Sequence, residues 1–266
     1  MLHALRVYWL LTVALGKGQL QYRASFFSQM VAMAISYGSQ FVALRWLTDR
    51  FPRVAGWDLQ ELILLYGLTV LAWGIAESLF IHFERFEQEV SQGAFDRALA
   101  RPVHPFVTAL AGSSPITGVG QLLFAVAAIA WAIWASGMTI TAGKLLYLVL
   151  AGISGGLIFG ASLVAVGAMA FYTRRTESLF WTIIVPGRQL VYYPINLYHR
   201  SLQILLMAVM PFAFVNYFPA HALLDKADQL RIPMLAWLSP LVAVGFFYLA
   251  YRFWNHGLNR YVGAGS

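Results

Sequence analysis

The sequence predicts an all-α, polytopic membrane protein with six transmembrane helices, and three observations carry that expectation. Of its 266 residues, 60% are hydrophobic and 11% are charged, whereas ordinary soluble domains carry about 25% charged residues. Several apolar stretches reach the roughly 20 residues that a helix needs to cross hydrocarbon, where backbone groups must be satisfied within the segment. Between them lie short polar turns holding Gly, Pro, Asp and Arg, which break helices and face water.

At the start of the chain, His3, Arg6, Lys17 and Gln21 fall within one narrow stripe at 100° per residue. Residues 1–23 therefore read as an amphipathic helix lying in the membrane interface. The run from Val7 to Leu15 after Arg6 is also signal-peptide-like, but Lys17 and Arg23 follow at once, and the interfacial reading is preferred. Residues 24–266 then form the transmembrane domain, with spans expected at about 24–44, 59–82, 116–136, 145–172 and 234–254. A turn with Asp49, Arg50, Pro52, Arg53, Gly56 and Asp58 divides the first two. The longest polar stretch, 84–105, is expected to be a water-exposed loop with helical pieces, broken at Gly93, Pro102 and Pro105. In the fourth span, Gly152, Gly156 and Gly160 put small residues on one face, where another helix can approach closely.

The remaining span can be drawn in two ways. Residues 179–197 are apolar but interrupted by Pro186, Arg188 and Pro194, while 201–224 are broken by Pro211 and Pro219. Only one of them can cross if both termini share a side. With a cytoplasmic N-terminus, inner Lys and Arg outnumber outer ones ten to seven if 179–197 crosses, and twelve to six if 201–224 does. The positive-inside bias holds either way, and charge alone favours the second.

Composition also excludes chemistry. The chain has no cysteine, so disulfides, thiolate catalysis and Cys-based zinc sites are ruled out. Its net charge of +7 is scattered between apolar segments, as in basic loops at a membrane surface, and forms no nucleic-acid stripe. His82, Phe83, Glu84 and Arg85 lack the His-Glu-x-x-His pattern, and no set of metal ligands or catalytic residues converges elsewhere. Gly137 to Lys144 has a phosphate-loop look, but the spacing is one residue too long and Leu145 stands where Ser or Thr is required. No nucleotide site is expected in this chain.

Two ionisable residues fall in apolar stretches. Glu77 lies within the second span, where a charge costs about 2.5–3.5 kcal/mol on insertion scales and marks a functional candidate. Being near the helix end, it can equally reach the interface or pair with Arg85 or Arg101. Arg188 faces a partner or a wet pathway if its segment spans, and is an interfacial residue otherwise. Tyr192, Tyr193, Phe212 and Tyr217 cluster with Pro186, Pro194, Pro211 and Pro219. That cluster suits a pathway gate or an interfacial aromatic belt.

Gln92 to Pro105, reading Q-G-A-F-D-R-A-L-A-R-P-V-H-P, is similar to a signature G-x-(L/F)-D-x-x-L-x-R-P-V-x-P. Tyr193-Pro194, the run Pro211 to Ala220 and the tail Arg260 to Ser266 match the same source. Over essentially its whole length the chain resembles ABC-2 type permeases, the membrane subunits of type 2 ABC exporters, in a compact six-span bacterial branch. The resemblance implies that loop 84–105 docks on a separate ATPase through Glu89, Gly93, Phe95, Asp96, Arg97, Arg101, Pro102 and Pro105. The expected pathway or gate comprises Glu77 and Arg188, from their charge in apolar stretches, with Tyr192, Tyr193, Pro194, Pro211, Phe212, Asn216, Tyr217 and Pro219. The resemblance also places the fifth span at 179–197 and an outer re-entrant hairpin at 201–224.

The implied assembly is two copies of an ABC ATPase with a second permease, identical or similar, in the bacterial cytoplasmic (inner) membrane, with both termini cytoplasmic. ATP and Mg would sit on the partner, with no cofactor, metal or catalytic residue in this chain. The cargo would be an amphipathic or hydrophobic drug, lipid or peptide moved outward. The alternative is a secondary transporter not coupled to ATP, which would suit a larger set of buried ionisable residues.

Overall fold

The computed structural model describes residues 23–99, 104–111, 116–173 and 176–261, and within them the chain is helical, with no strand beyond one bridge between Val54 and Trp57. The interfacial helix expected over 1–23 lies outside the described residues apart from Arg23, which opens α1 (Arg23–Arg50). Also outside them are Arg101 and Pro102 of the expected docking loop.

The bundle is built around α2 (Leu59–Phe80). Sixteen of its 22 residues are buried, so it is enclosed on all sides, as a helix apolar all round should be. Its start is sharply defined. Ala55 and Gly56 take positive φ values of +52° and +90° in a tight reversal closed by Val54 N–H to Trp57 O (2.9 Å) and Trp57 N–H to Val54 O (3.0 Å). Asp58 then caps the helix by accepting from Glu61 N–H at 3.0 Å, while Glu61 accepts from Asp58 N–H at 3.3 Å, a reciprocal capping box.

After α2 the chain tightens into a 3-10 turn (Ile81–Arg85), then forms α3 (Phe86–Ser91), α4 (Ala94–Leu99) and α5 (Pro105–Ala111). The long helices α6 (Ile116–Ser136) and α7 (Ala142–Ala168) flank α2. The glycine stripe of α7 lies on α2: Gly152 faces Leu71, Gly156 faces Ile75 and Gly160 faces Phe80. A Cβ at Gly156 would sit 2.5 Å from Ile75 Cγ2, so the missing side chain is what lets the two backbones approach.

Beyond α7, a helical stretch over 176–190 comprises α8 (Thr176–Leu179), a π-helical turn (Phe180–Ile184) and α9 (Val185–Leu190). A second broken stretch comprises α10 (Arg200–Ile204), a π turn (Leu205–Val209), a 3-10 turn (Phe212–Phe214) and α11 (Tyr217–Leu223). Each π turn lies just before a proline, Pro186 or Pro211. The ring cannot continue regular i to i−4 bonding, and a widened turn accommodates it. The last helix, α12 (Ser239–Arg260), packs on α7.

Among the described residues, three stretches can cross a membrane by length and apolarity: Leu59–Ser91, Gly118–Ser136 and Ala142–Phe171. A fourth is added if the pair Arg200–Val209 and Phe212–Leu223, bent by 76°, counts as one span. The helices α1 and α12 have spanning lengths of 28 and 22 residues. Polar residues such as Ser36, Ser39 and Gln40 in α1, and Arg252, Asn255 and His256 in α12, dilute their apolar character. The segment expected at 179–197 is helical only to Leu190, then turns before Pro194 and enters a 3-10 turn (Ile195–Leu197). At 1.5 Å per residue the 15 residues of 176–190 extend about 22 Å, short of the roughly 30 Å of hydrocarbon.

Candidate functional site

The polar loop folds as a platform because its aromatic residues turn inward. Phe83, Phe86, Phe95, Phe106, Phe171 and Trp254 form a continuous cluster, with ring centroids 4.6 Å apart for Phe86 and Trp254 and 4.9 Å for Phe86 and Phe95. Each such pair adds about 0.5–1.5 kcal/mol beyond its buried area. Gly93 at φ +68° turns the chain from α3 into α4, a left-handed position that glycine fills without penalty. Pro105 opens α5, where a missing N–H costs nothing. Glu89 pairs with His82 at 2.9 Å, and the Asp96 carboxylate accepts from the Tyr261 hydroxyl at 2.9 Å. That bond joins the loop motif to the first residues of the tail motif, two segments 165 positions apart.

Directly above the platform, α2 and the 176–190 stretch enclose a cavity of about 500 Å³ lined by Trp73, Glu77, His82, Glu84, Arg85, Phe180, Trp181 and Arg188, among others. Trp73 is its centrepiece. The Arg188 guanidinium sits 4.3 Å from the ring centroid. Glu77, one helical turn on from Trp73, accepts from Gln121 Nε2 at 2.5 Å. Tyr37 of α1 lies near the Arg188 guanidinium, and Arg188 Nε and Gln121 Oε1 are buried with no hydrogen-bond partner among the described residues. A cation held on an indole face away from water gains about 2 kcal/mol or more.

The aromatic and proline residues of 190–220 divide between two places. Tyr192 packs edge-on against Tyr66 at 5.0 Å, and the Tyr193 hydroxyl accepts from Gln40 at 3.1 Å. Pro194 ends the turn after α9, and Pro211 marks the 76° bend. Phe212 packs against Phe159 at a tilt, ring centroids 5.0 Å apart, and covers Gly187, where a Cβ would lie 2.8 Å from its ring. Asn216 is fully buried and donates to Thr69 Oγ1 at 2.8 Å, Leu65 O at 3.3 Å and Val191 O. Tyr217 lies at the far end of α2, with Trp57 5.7 Å and His221 4.5 Å away, and Pro219 is buried within α11. At that end Lys226 pairs with Glu61 and Lys144 with Asp225 at 2.5 Å.

A family model described as ABC-2 family transporter protein matches residues 34–265. The chain belongs to the ABC-2 transporter family. No curated protein and no solved structure matches it. As an ABC transporter permease it is a membrane transport component and is not itself catalytic, and permeases of this family work with an ATPase subunit.

Of the expected docking residues, Glu89, Gly93, Phe95, Asp96 and Pro105 lie on the permease's platform, and the side chain of Arg97 is outside the described residues, as are Arg101 and Pro102 altogether. Phe95 is only 1% exposed, so it anchors α4. Among the described side chains of α4, the apolar one presented outward is Leu99, at 40%. Glu77 and Arg188 do come together around one cavity, whereas Tyr217 and Pro219 lie apart from it. Sequence reasoning missed Trp73, Gln121, Tyr37 and Thr69, whose types are ordinary in apolar helices. It also passed over Glu87, which reaches from α3 to the start of α8.

Proposed function

We propose that this permease is the membrane subunit of an ATP-driven exporter, paired with a second permease, identical or similar, and two copies of an ABC ATPase that carry the ATP and Mg. The observation that carries this reading is the platform. A loop held by six aromatic rings and by Asp96 to Tyr261 is packed as one body, and Leu99 and the polar residues Gln88, Ser91 and Gln92 are exposed on it. Such a body is what an external motor needs to push on. In this reading the platform faces the cytoplasm, with both termini on that side of a bacterial inner membrane. The fifth span is 179–197, its helix to Leu190 extended by the turn and the 3-10 turn Ile195–Leu197, and the bent pair over 201–224 is an outer re-entrant hairpin, in keeping with its buried second leg.

The cavity beside Trp73 supports an amphipathic cargo, drug, lipid or peptide. Its indole and phenyl surfaces suit an apolar body, and Glu77, Glu84, Arg85 and Arg188 offer both signs of charge. The test is recovery of the tagged chain from its native membrane. The parent protein is expected to carry an ATPase with it, and Leu99→Glu to cut that recovery at least about tenfold, a loss of about 1.4 kcal/mol. Full recovery of an ATPase with Leu99→Glu, or none with the parent protein, overturns the docking assignment.

A further inference from the structure

Glu87 joins two parts of the molecule that the chain itself separates. It sits on α3 in the platform, yet its Oε2 accepts from Thr176 N–H at 2.5 Å, Thr176 Oγ–H at 2.9 Å and Glu177 N–H at 3.2 Å. The first amides of any helix lack partners within it, and the positive end of the helix dipole favours a carboxylate. Here the cap comes from 89 residues earlier in the chain. Both ends of the link are firmly seated. Phe86, next to Glu87, is fully buried in the aromatic cluster, and Thr176 has no exposed surface. From Thr176 the helical stretch continues to Leu190 and carries Phe180, Val185 and Arg188 into the cavity wall.

We propose that Glu87 is a positioning residue that passes displacement of the platform to the 176–190 stretch. When the ATPase moves α3, the carboxylate draws the N-terminus of α8 with it. Since 176–190 stays helical from Thr176 through its π turn to Leu190, Arg188 shifts relative to Trp73 and Glu77. A short hydrogen-bonded link of three donors on one charged oxygen suits this task, because charge-assisted bonds are roughly twice as strong as neutral ones and are directional. The inference rests on the ATP-coupled reading, and its test separates the two.

The chain has no cysteine, so spin labels can be placed on this subunit at will. In the complete complex, one label pair joins Gln189→Cys to Trp134→Cys on α6, and a second joins Ser91→Cys on α3 to the same reference; all three positions are exposed. Distances are compared without nucleotide and after trapping with ATP and vanadate. With Glu87 intact, both pairs are expected to shift. Glu87→Ala is expected to keep the Ser91 shift and to lose that at Gln189, and Glu87→Gln, which retains an acceptor, to restore part of it. A full Gln189 shift in Glu87→Ala overturns the proposal. If Glu87→Ala does not assemble, Glu87→Asp, whose reach is one methylene shorter, is expected to shrink the Gln189 shift alone, and an unchanged shift overturns the proposal. No Ser91 shift in the parent complex removes the ATP-coupled reading and the proposal with it.

Discussion

Asn216 has no exposed surface, and its amide reaches a hydroxyl and two carbonyls on different elements: Thr69 and Leu65 of α2 and Val191 after α9. Removing a buried partner of this kind leaves polar groups unsatisfied and costs about 1–3 kcal/mol. Asn216→Ala is therefore expected to lower the thermal unfolding midpoint in detergent. Because Thr69 shares the network, Asn216→Ala combined with Thr69→Val should fall short of the sum of the single losses. For Arg188, Arg188→Met keeps the stem while discarding the charge. It is expected to abolish transport while leaving co-purification with the ATPase intact, and unchanged transport would remove Arg188 from the pathway. At this scale, legibility depended on contrast. Glu77 and Arg188 stand out as charges in apolar sequence, whereas Gln121 and Thr69 gain meaning only from partners 44 and 147 positions away. Phe95 was visible only as part of a motif. An apolar residue in a polar loop can grip a partner or the protein's own core, and burial decides for the core.

Among the elements, the glycine stripe of α7 was readable because small residues four apart have one physical use in a membrane helix. Gly156→Val should destabilise the α2–α7 contact by about 1–3 kcal/mol through overpacking, read as loss of monodisperse protein on mild heating. Gly245 has open space around the position a Cβ would take, and Gly245→Ala should be neutral or slightly stabilising in the same assay. The fifth span was less legible, since prolines told where helices break but not how the pieces lie. The proposed hairpin has a direct test. In intact cells an impermeant thiol reagent should modify both Ser201→Cys and Asp228→Cys, two exposed positions flanking the bent pair. Modification at Asp228→Cys alone would make 201–224 the span. Asn216, which the motif highlights, is unsuitable for labelling because it is buried.

At the scale of the whole molecule, composition sufficed for the all-helical membrane architecture, because few other solvents tolerate so few charges. What composition could not convey is the order of enclosure. Hydropathy marks α2 as one apolar segment among several, and only the packed structure identifies it as the axis. The proposed assembly predicts that native mass spectrometry of the gently extracted complex finds two permease subunits and two ATPases. Transport that collapses with a protonophore while ATP is maintained would instead support secondary transport.

The enclosure of α2 also bears on how the protein is made. Glu77 enters the bilayer with its helix, before the residue that donates to it has been made. Gln121 is 44 residues further on, and the α7 glycines that wrap the remaining face are later still. During synthesis the future centre of the bundle thus waits among lipids with an ill-satisfied carboxyl group, a segment that quality-control proteases and insertases can recognise. Chains stopped before Gln121 should be degraded faster than chains stopped after α7, and Glu77→Gln should narrow that difference.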